Sequence, residues 1–307
     1  MKIYIPKVRE SWVVDRFRTE WLKNNKDSST RFIRNSDIIW IIAPWLWKNI
    51  SKKYLQTKKI ICTIHHLEKN DFKGHKLSEF KERDVFVDYY HVISEKTKSE
   101  LEKITKKPII KIPFWVNNKL FYEIKDKEKL RSKFNIPNNS FLVGSFQRDT
   151  EGKDLLSPKL IKGPDRLVKI FKHLAELNPN LIVILAGKRR QYIINELSKE
   201  KINFLYFEMV SFETLNNLYN ILDLYVVASR LEGGPQAIFE CAIIKTPIIS
   251  TDVGFASEIL DENSIFNMNN FKFAKSNVNI ARKNVNQYTI PKGFEKFINI
   301  FEELYNL

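Results

Sequence analysis

Apolar residues fall along this chain in two alternating patterns. Short unbroken apolar runs at Lys2–Pro6, Ile38–Ala43, Ile60–Ile64, Tyr89–Ser94 and Ile109–Ile112 predict buried strands in the first part of the chain. Between them, Ser11–Lys23, Trp45–Tyr54 and Glu95–Ile104 carry apolar positions at helical spacing. The same alternation returns further on, with strands at Phe141–Phe146, Leu181–Ala186, Ile202–Tyr206, Leu224–Ala228 and Thr246–Ser250. Helices at Pro164–Leu177, Arg189–Ser198 and Ser211–Asn220 lie among them. Strands that are apolar on both faces and separated by helices belong to a parallel sheet covered on both sides. Two doubly wound α/β domains in tandem follow. The polar, charged segment from Asn117 to about Phe134 sets the boundary, giving residues 1–118 and 119–290. The remaining stretch, 291–307, places Phe294, Phe297, Ile298, Phe301, Leu304 and Tyr305 on one helical face, which predicts a last helix packed against protein.

Composition narrows the class. A chain of 307 residues with 43% hydrophobic content is long enough and apolar enough for two packed cores. Its two cysteines, Cys62 and Cys241, sit in separate apolar elements and read as core residues, in keeping with a reducing compartment. The opening M-K-I-Y-I-P-K-V-R-E holds no long apolar signal segment. The longest apolar run, Ile38 to Trp47, has ten residues, too few to span a bilayer as a helix. A cytoplasmic protein, soluble or peripheral, is the expectation.

Charge adds a partner. Residues 1–118 hold 25 Lys+Arg against 14 Asp+Glu, a balance of +11, whereas residues 119–307 hold 26 against 22, a balance of +4. A skew of that size favours an anionic surface such as the inner face of a cell membrane. Lys7, Arg9 and Ser11, together with Arg16, Arg18, Trp21, Trp45 and Trp47, mix basic and aromatic side chains in that half. The mixture suits sugar stacking, lipid headgroups, pyrophosphate or single-stranded nucleic acid. No RNA-binding motif accompanies it, so nucleic acid is not the expected partner.

The chemistry concentrates in Ser229 to Ala242, S-R-L-E-G-G-P-Q-A-I-F-E-C-A, where Glu232 and Glu240 have seven residues between them. A strand runs into the turn that carries Glu232, and Gly233, Gly234 and Pro235 open a helix. Unpaired N–H groups and the positive dipole end at a helix start favour an anion. With Glu240 two turns along, two carboxylates and an anion site suit a ligand bearing both phosphates and hydroxyls. The plainer alternative makes Glu232 a helix cap and Glu240 half of a surface ion pair. Then follow the strand Thr246–Ser250 and the segment T-D-V-G-F-A-S-E-I-L, in which Gly254 and Ser257 start another helix. The whole run resembles the donor-binding half of family 4 retaining glycosyltransferases of the GT-B fold, whose two glutamates have the same spacing.

That resemblance implies two Rossmann-like domains facing a central cleft, with the last helix crossing back to the first domain. It implies a nucleotide-diphosphate sugar as donor, a UDP- or GDP-sugar, and a glycan or lipid-linked acceptor in bacterial surface-polysaccharide synthesis. By resemblance, Glu232 with Gly233, Gly234, Pro235 and Gln236 meets the donor sugar and its phosphates. Glu240 accepts from the ribose, and backbone around Val210 (Met209 to Ser211) recognises the base. The family holds the diphosphate with a G-R…K-G pair of cations. Lys162 before Gly163 matches the second, but Ser145 stands where arginine follows glycine, which leaves Arg148 as the candidate, with Lys159 competing. Two cations remove the need for a metal, and no Asp-x-Asp motif is present, so no cofactor is expected. T-x-H at Thr63-Ile64-His65 matches a family histidine that faces the reacting sugar, with His66 as the fallback. Where the family has P-N-G-V-D, Phe114, Trp115 and Asn117 depart from it, and Pro6 to Trp12 replace its glycine-rich loop. A GT-B epimerase or sugar-phosphate transferase, and a non-enzymatic binder of anionic glycan or nucleic acid, are the rival readings.

Overall fold

The computed structural model describes residues 1–9, 13–153 and 155–307. The chain divides into two compact units, Met1–Trp115 with Tyr288–Leu307, and Val116–Gln287. In the first, strands β1 (Ile3–Tyr4), β2 (Ile38–Ile41), β3 (Lys59–Ile64), β4 (Tyr89–Val92) and β5 (Ile109–Lys111) form one parallel sheet in sequence order. Helices α1 (Val13–Asn24), α2 (Lys52–Thr57), α3 (Gly74–Asp84) and α4 (Glu95–Leu101) connect them. The Ser94 side chain caps α4 by accepting from the Thr97 N–H, satisfying one otherwise orphaned donor. Ser11, with Glu10 and Trp12 beside it, lies outside the described residues. The helix expected over Trp45–Tyr54 is instead a 3-10 segment, Pro44–Asn49, followed by α2, because the chain is extended at Ile50 and Ser51. Helix α3 was not read from the sequence; its apolar positions are too sparse to make a stripe.

The core of this unit is aromatic. Trp21, Trp40, Phe114 and Trp115 pack with Phe294, Phe297 and Phe301, the last two from the terminal helix Glu295–Asn306. Trp40 donates its indole N–H to Thr63 Oγ1 (2.9 Å), Thr63 meets His91 Nδ1 (2.9 Å), and His91 Nε2 meets the Ile112 carbonyl (2.7 Å). A carbonyl only accepts, so His91 carries its proton on Nε2 and accepts a hydrogen bond from the Thr63 hydroxyl at Nδ1. Burial pushes the His91 pKa down to about 3. Trp21, read as a possible sugar platform, is fully buried in this cluster and cannot serve as one. Of the face expected on the last helix, Phe294, Phe297, Phe301 and Leu304 are buried, whereas Tyr305 is exposed.

The second unit is built on a six-stranded parallel sheet of order β10-β9-β6-β11-β12-β13. Its chain order is α5 (Lys127–Ser132), β6 (Phe141–Ser145), the antiparallel pair β7 (Thr150–Glu151) and β8 (Ser157–Pro158), α6 (Pro164–Leu177), β9 (Leu181–Ala186), α7 (Gln191–Lys199), β10 (Phe204–Phe207) and α8 (Phe212–Ile221). Then come β11 (Leu224–Val227), α9 (Gln236–Ile244), β12 (Ile248–Thr251), α10 (Ala256–Ile259), β13 (Ile265–Phe266) and α11 (Val278–Val285). The first strand, β6, is central. The chain winds outward through β9 and β10, then returns to lay β11 on the other side of β6. The carboxyl ends of β6 and β11 therefore flank the topological switch point, where open α/β sheets bind ligands. One face of β6, β9 and β11 packs against Leu167, Val168, Ile170 and Phe171 of α6. Helix α9 is apolar nearly all round, with Ile238 to Ile244 buried. Among the described residues, no helix is long and apolar enough to cross a membrane.

Candidate functional site

Three loops meet where β6, β11 and β12 end. The first leaves β6 through Gln147, makes the β7–β8 hairpin and returns through a 3-10 turn, Leu160–Lys162, to Gly163. Gly163 has φ +65°, and a Cβ there would lie 2.0 Å from the Ala228 carbonyl oxygen, so only glycine lets α6 start this close to β11. Pro164 at the first helical position and Asp165 in the first turn suit the helix start. The second loop carries Ser229 to Pro235. It is tied to the first by Arg230 N–H to the Ile161 carbonyl (2.8 Å) and by a two-pronged Arg230–Asp165 ion pair (2.7 and 2.6 Å). The third follows β12. Thr251 Oγ1 donates to the Ser229 carbonyl (2.7 Å), and Gly254, φ +53°, sits so near that a Cβ would lie 2.3 Å from the Gly233 carbonyl oxygen.

These ties bring Lys162 and Glu232 together. Lys162 Nζ lies 2.5 Å from both Glu232 carboxylate oxygens, with side chains 15% and 12% exposed. Ser229 Oγ lies 3.0 Å from Glu232 Oε1. Gln147 Nε2 donates to the Lys162 carbonyl (2.7 Å), with Ser229 Oγ 3.3 Å from Gln147 Oε1. The sequence reading missed Ser229 and Gln147; neither carries a charge, and each gains its place only through the fold.

The other candidates are described one by one. Gly233 is buried, while Gly234, Pro235 and Gln236 are half-buried. Pro235 is the N-cap and Gln236 the first residue of α9, so the helix begins two residues later than the glycines suggest; Pro235 has an extended ψ of 113°. Glu240 is 4% exposed, and its Oε2 accepts from the Tyr219 hydroxyl at 2.8 Å. Burial, and then the Glu240 charge, raises the Tyr219 pKa well above that of a free phenol. Tyr219 therefore stays a donor to Glu240. Val210 is half-buried between the end of β10 and Ser211, the N-cap of α8.

Arg148 is half-buried, and its Nε donates to the Thr150 carbonyl (3.1 Å); burial, then the Arg189 charge, lowers its pKa. The Lys159 main-chain N–H donates to the Asp149 carbonyl (2.7 Å). The hairpin between these residues is held by a fully buried ion pair, Asp149–Arg190, at 2.5 Å. Arg190 also donates to the Ser145 and Ala186 carbonyls. A second guanidinium thus reaches the end of β6 at Ser145, contributed by the loop after β9.

His65 belongs to the first unit, at the end of β3. Its Nε2 meets the Ile42 carbonyl at 2.9 Å, and its ring stacks on Phe114 with centroids 5.9 Å apart. Burial lowers its pKa to about 4, so at pH 7 it is neutral with the proton on Nε2, leaving Nδ1 as an acceptor. His66 lies with its Nε2 3.9 Å from Glu68 Oε1. Among the described residues, no group of three or more His, Cys, Asp and Glu is placed to hold a metal ion.

The arrangement offers an ammonium, a carboxylate and a helix start at one switch point, a combination suited to a phosphorylated, hydroxylated ligand. Comparison with known proteins bears on this directly. The chain is 23% identical over 291 residues to the O-antigen chain mannosyltransferase RfbU of Salmonella typhimurium, covering 90% of this chain and 78% of that protein. Its structure is similar to that of HepE from Anabaena, solved in complex with UDP and glucose: TM-score 0.74, 14% identity, 99% of this chain and 100% of that one. It is also similar to sucrose-phosphate synthase from Thermosynechococcus elongatus: TM-score 0.71, 16% identity, 95% of this chain and 77% of that one. The fold is GT-B, with two Rossmann-like α/β units. The family model described as glycosyl transferases group 1 matches residues 126–289, the stretch that holds Lys162, Glu232 and Glu240, and the chain belongs to that family.

Proposed function

We propose that this glycosyltransferase uses a nucleotide-diphosphate sugar, a UDP- or GDP-sugar, and retains the anomeric configuration as family 4 enzymes do. The observation that carries the reading is the meeting of Lys162 with Glu232, which stands on the loop that leads into α9. Lys162 and the N–H groups of Gly234 and Gln236 would hold the diphosphate, and Arg148 would add a second cation from the β6 loop. As the glycosidic bond breaks, negative charge grows on the leaving diphosphate. Fixed cations and helix N–H groups stabilise that charge more in the transition state than in the ground state. Glu232 would hold donor-sugar hydroxyls, Glu240 the ribose, and backbone at Val210 the base. His65, neutral and with Nδ1 free to accept, would hydrogen-bond a sugar hydroxyl. Since the two cations neutralise the diphosphate, catalysis would not depend on a metal.

The acceptor would be a growing glycan or a lipid-linked acceptor in bacterial surface-polysaccharide assembly. The likeness to an O-antigen mannosyltransferase supports that class, and the +11 balance of residues 1–118 supports work at an anionic membrane surface, peripheral on its cytoplasmic side. Thermal unfolding against UDP, GDP, ADP, CMP and their common sugars, in EDTA, tests the donor reading. The expected result is selective stabilisation by one nucleoside diphosphate, about 2.7 kcal/mol at a hundredfold excess over its dissociation constant. Stabilisation by none of them would overturn it.

A further inference from the structure

We propose that the Lys162–Glu232 ion pair lets the donor pocket discriminate a nucleoside diphosphate that carries its sugar from one that does not. The proposal rests on the donor-site reading above. Both groups are held by contacts within the chain. Lys162 Nζ is 2.5 Å from each carboxylate oxygen, its backbone carbonyl is held by Gln147, and Ser229 Oγ is 3.0 Å from Glu232 Oε1. With only 15% and 12% of the side chains exposed, little water stands ready to replace a lost partner.

A diphosphate that takes the ammonium leaves Glu232 with the Ser229 hydroxyl and sets its carboxylate beside new negative charge. Leaving a poorly hydrated charge without its partner is costly. A sugar diphosphate makes the same exchange but brings sugar hydroxyls, which donate to the carboxylate as the ammonium departs. The pair therefore admits the full donor and disfavours the nucleoside diphosphate product, which speeds product release after transfer. Glu232 would then act as a specificity residue through Lys162 as well as through the sugar.

The test is calorimetric titration of UDP and GDP into wild type, Glu232→Gln and Lys162→Gln, with circular dichroism to establish folding. An ordinary sugar contact predicts that Glu232→Gln leaves nucleoside diphosphate affinity unchanged. The exchange predicts that affinity rises about tenfold, while the same variant gains less for UDP-glucose or GDP-mannose. Lys162→Gln should weaken all of them. If Glu232→Gln does not fold, Glu232→Asp, one methylene shorter, should tighten UDP or GDP binding in the same direction by a smaller factor. Unchanged or weaker UDP and GDP binding in the Glu232 variants, with Lys162→Gln weakened, would overturn the exchange and leave the donor site standing. If Lys162→Gln binds as wild type does, or wild type binds neither nucleotide, the donor-site reading falls and takes the exchange with it.

Discussion

At the scale of single residues, one glycine and two neutral histidines carry the predictions. Gly163→Ala would place a methyl 2.0 Å from the Ala228 carbonyl oxygen in a left-handed conformation. The torsional strain alone costs about 1–3 kcal/mol, and the clash pushes the Lys162 loop away from β11. Chemical denaturation should therefore show clear destabilisation, and donor turnover should fall with it; an unperturbed variant would mean that the loop packs differently. The histidines predict a pH response. The His91 pKa of about 3 and the His65 pKa of about 4 lie below the unfolded value near 6.5. Between pH 6.5 and those values the unfolded chain binds protons that the native chain refuses, so stability falls as pH falls through that window. Each histidine contributes up to about 1.4 kcal/mol per pH unit. Replacing His91 with Gln should flatten the wild-type loss of stability between pH 6.5 and 4; an unchanged slope would mean that His91 is protonated in the native state.

Elements add constraints that no single residue shows. The loop after β6 looks in sequence like an overlong phosphate-binding turn. Folded, it is a two-stranded hairpin anchored by Asp149–Arg190, and its long reach separates Arg148 from Lys162 in the chain. Removing one partner of a buried ion pair costs about 3–5 kcal/mol, whereas replacing both with apolar residues is close to neutral. Arg190→Met should therefore destabilise strongly, and Asp149→Leu combined with Arg190→Met should recover most of the loss in urea melts. Additive effects would mean that the two charges do not act as a pair. The last helix is a second such element. Phe297, 1% exposed, meets Trp40, Phe114 and Trp115, and Phe297→Ala should cost about 3–5 kcal/mol. A loss below about 1 kcal/mol would mean that the helix adds little to the first unit.

At the scale of the whole molecule, charge sets the expectation. The chain carries +15, most of it in residues 1–118, and attraction between such a skew and anionic lipid is screened by salt. Vesicles containing anionic lipid should sediment with the protein at low salt and release it at high salt; failure at low salt would remove the membrane from the proposed function. Strand order and site location also belong to this scale, because both follow from how distant segments pair.

Much of this was legible from the chain. Apolar runs and helical spacing placed α6 at its observed residues, Pro164–Leu177, and marked ten of the thirteen strands among the described residues, because buried parallel strands must be apolar on both faces. Glu232-Gly233-Gly234 could be picked out because its charge and glycines are spaced within a local motif, and Lys162-Gly163 because it matches a pair in the family the chain resembles. Four features were not legible: the hairpin, the placement of Ser229 and Gln147 around Glu232, the Tyr219 hydroxyl on Glu240, and the Asp149–Arg190 pair. Each joins groups 3 to 82 residues apart through polar contacts that leave no periodic mark. The sequence by itself determined ten of the strands, most of the helices that cover them and where the candidate charges lie. Only the tertiary structure decided that Lys162 and Glu232 meet, because that contact exists only once β6 and β11 are paired side by side.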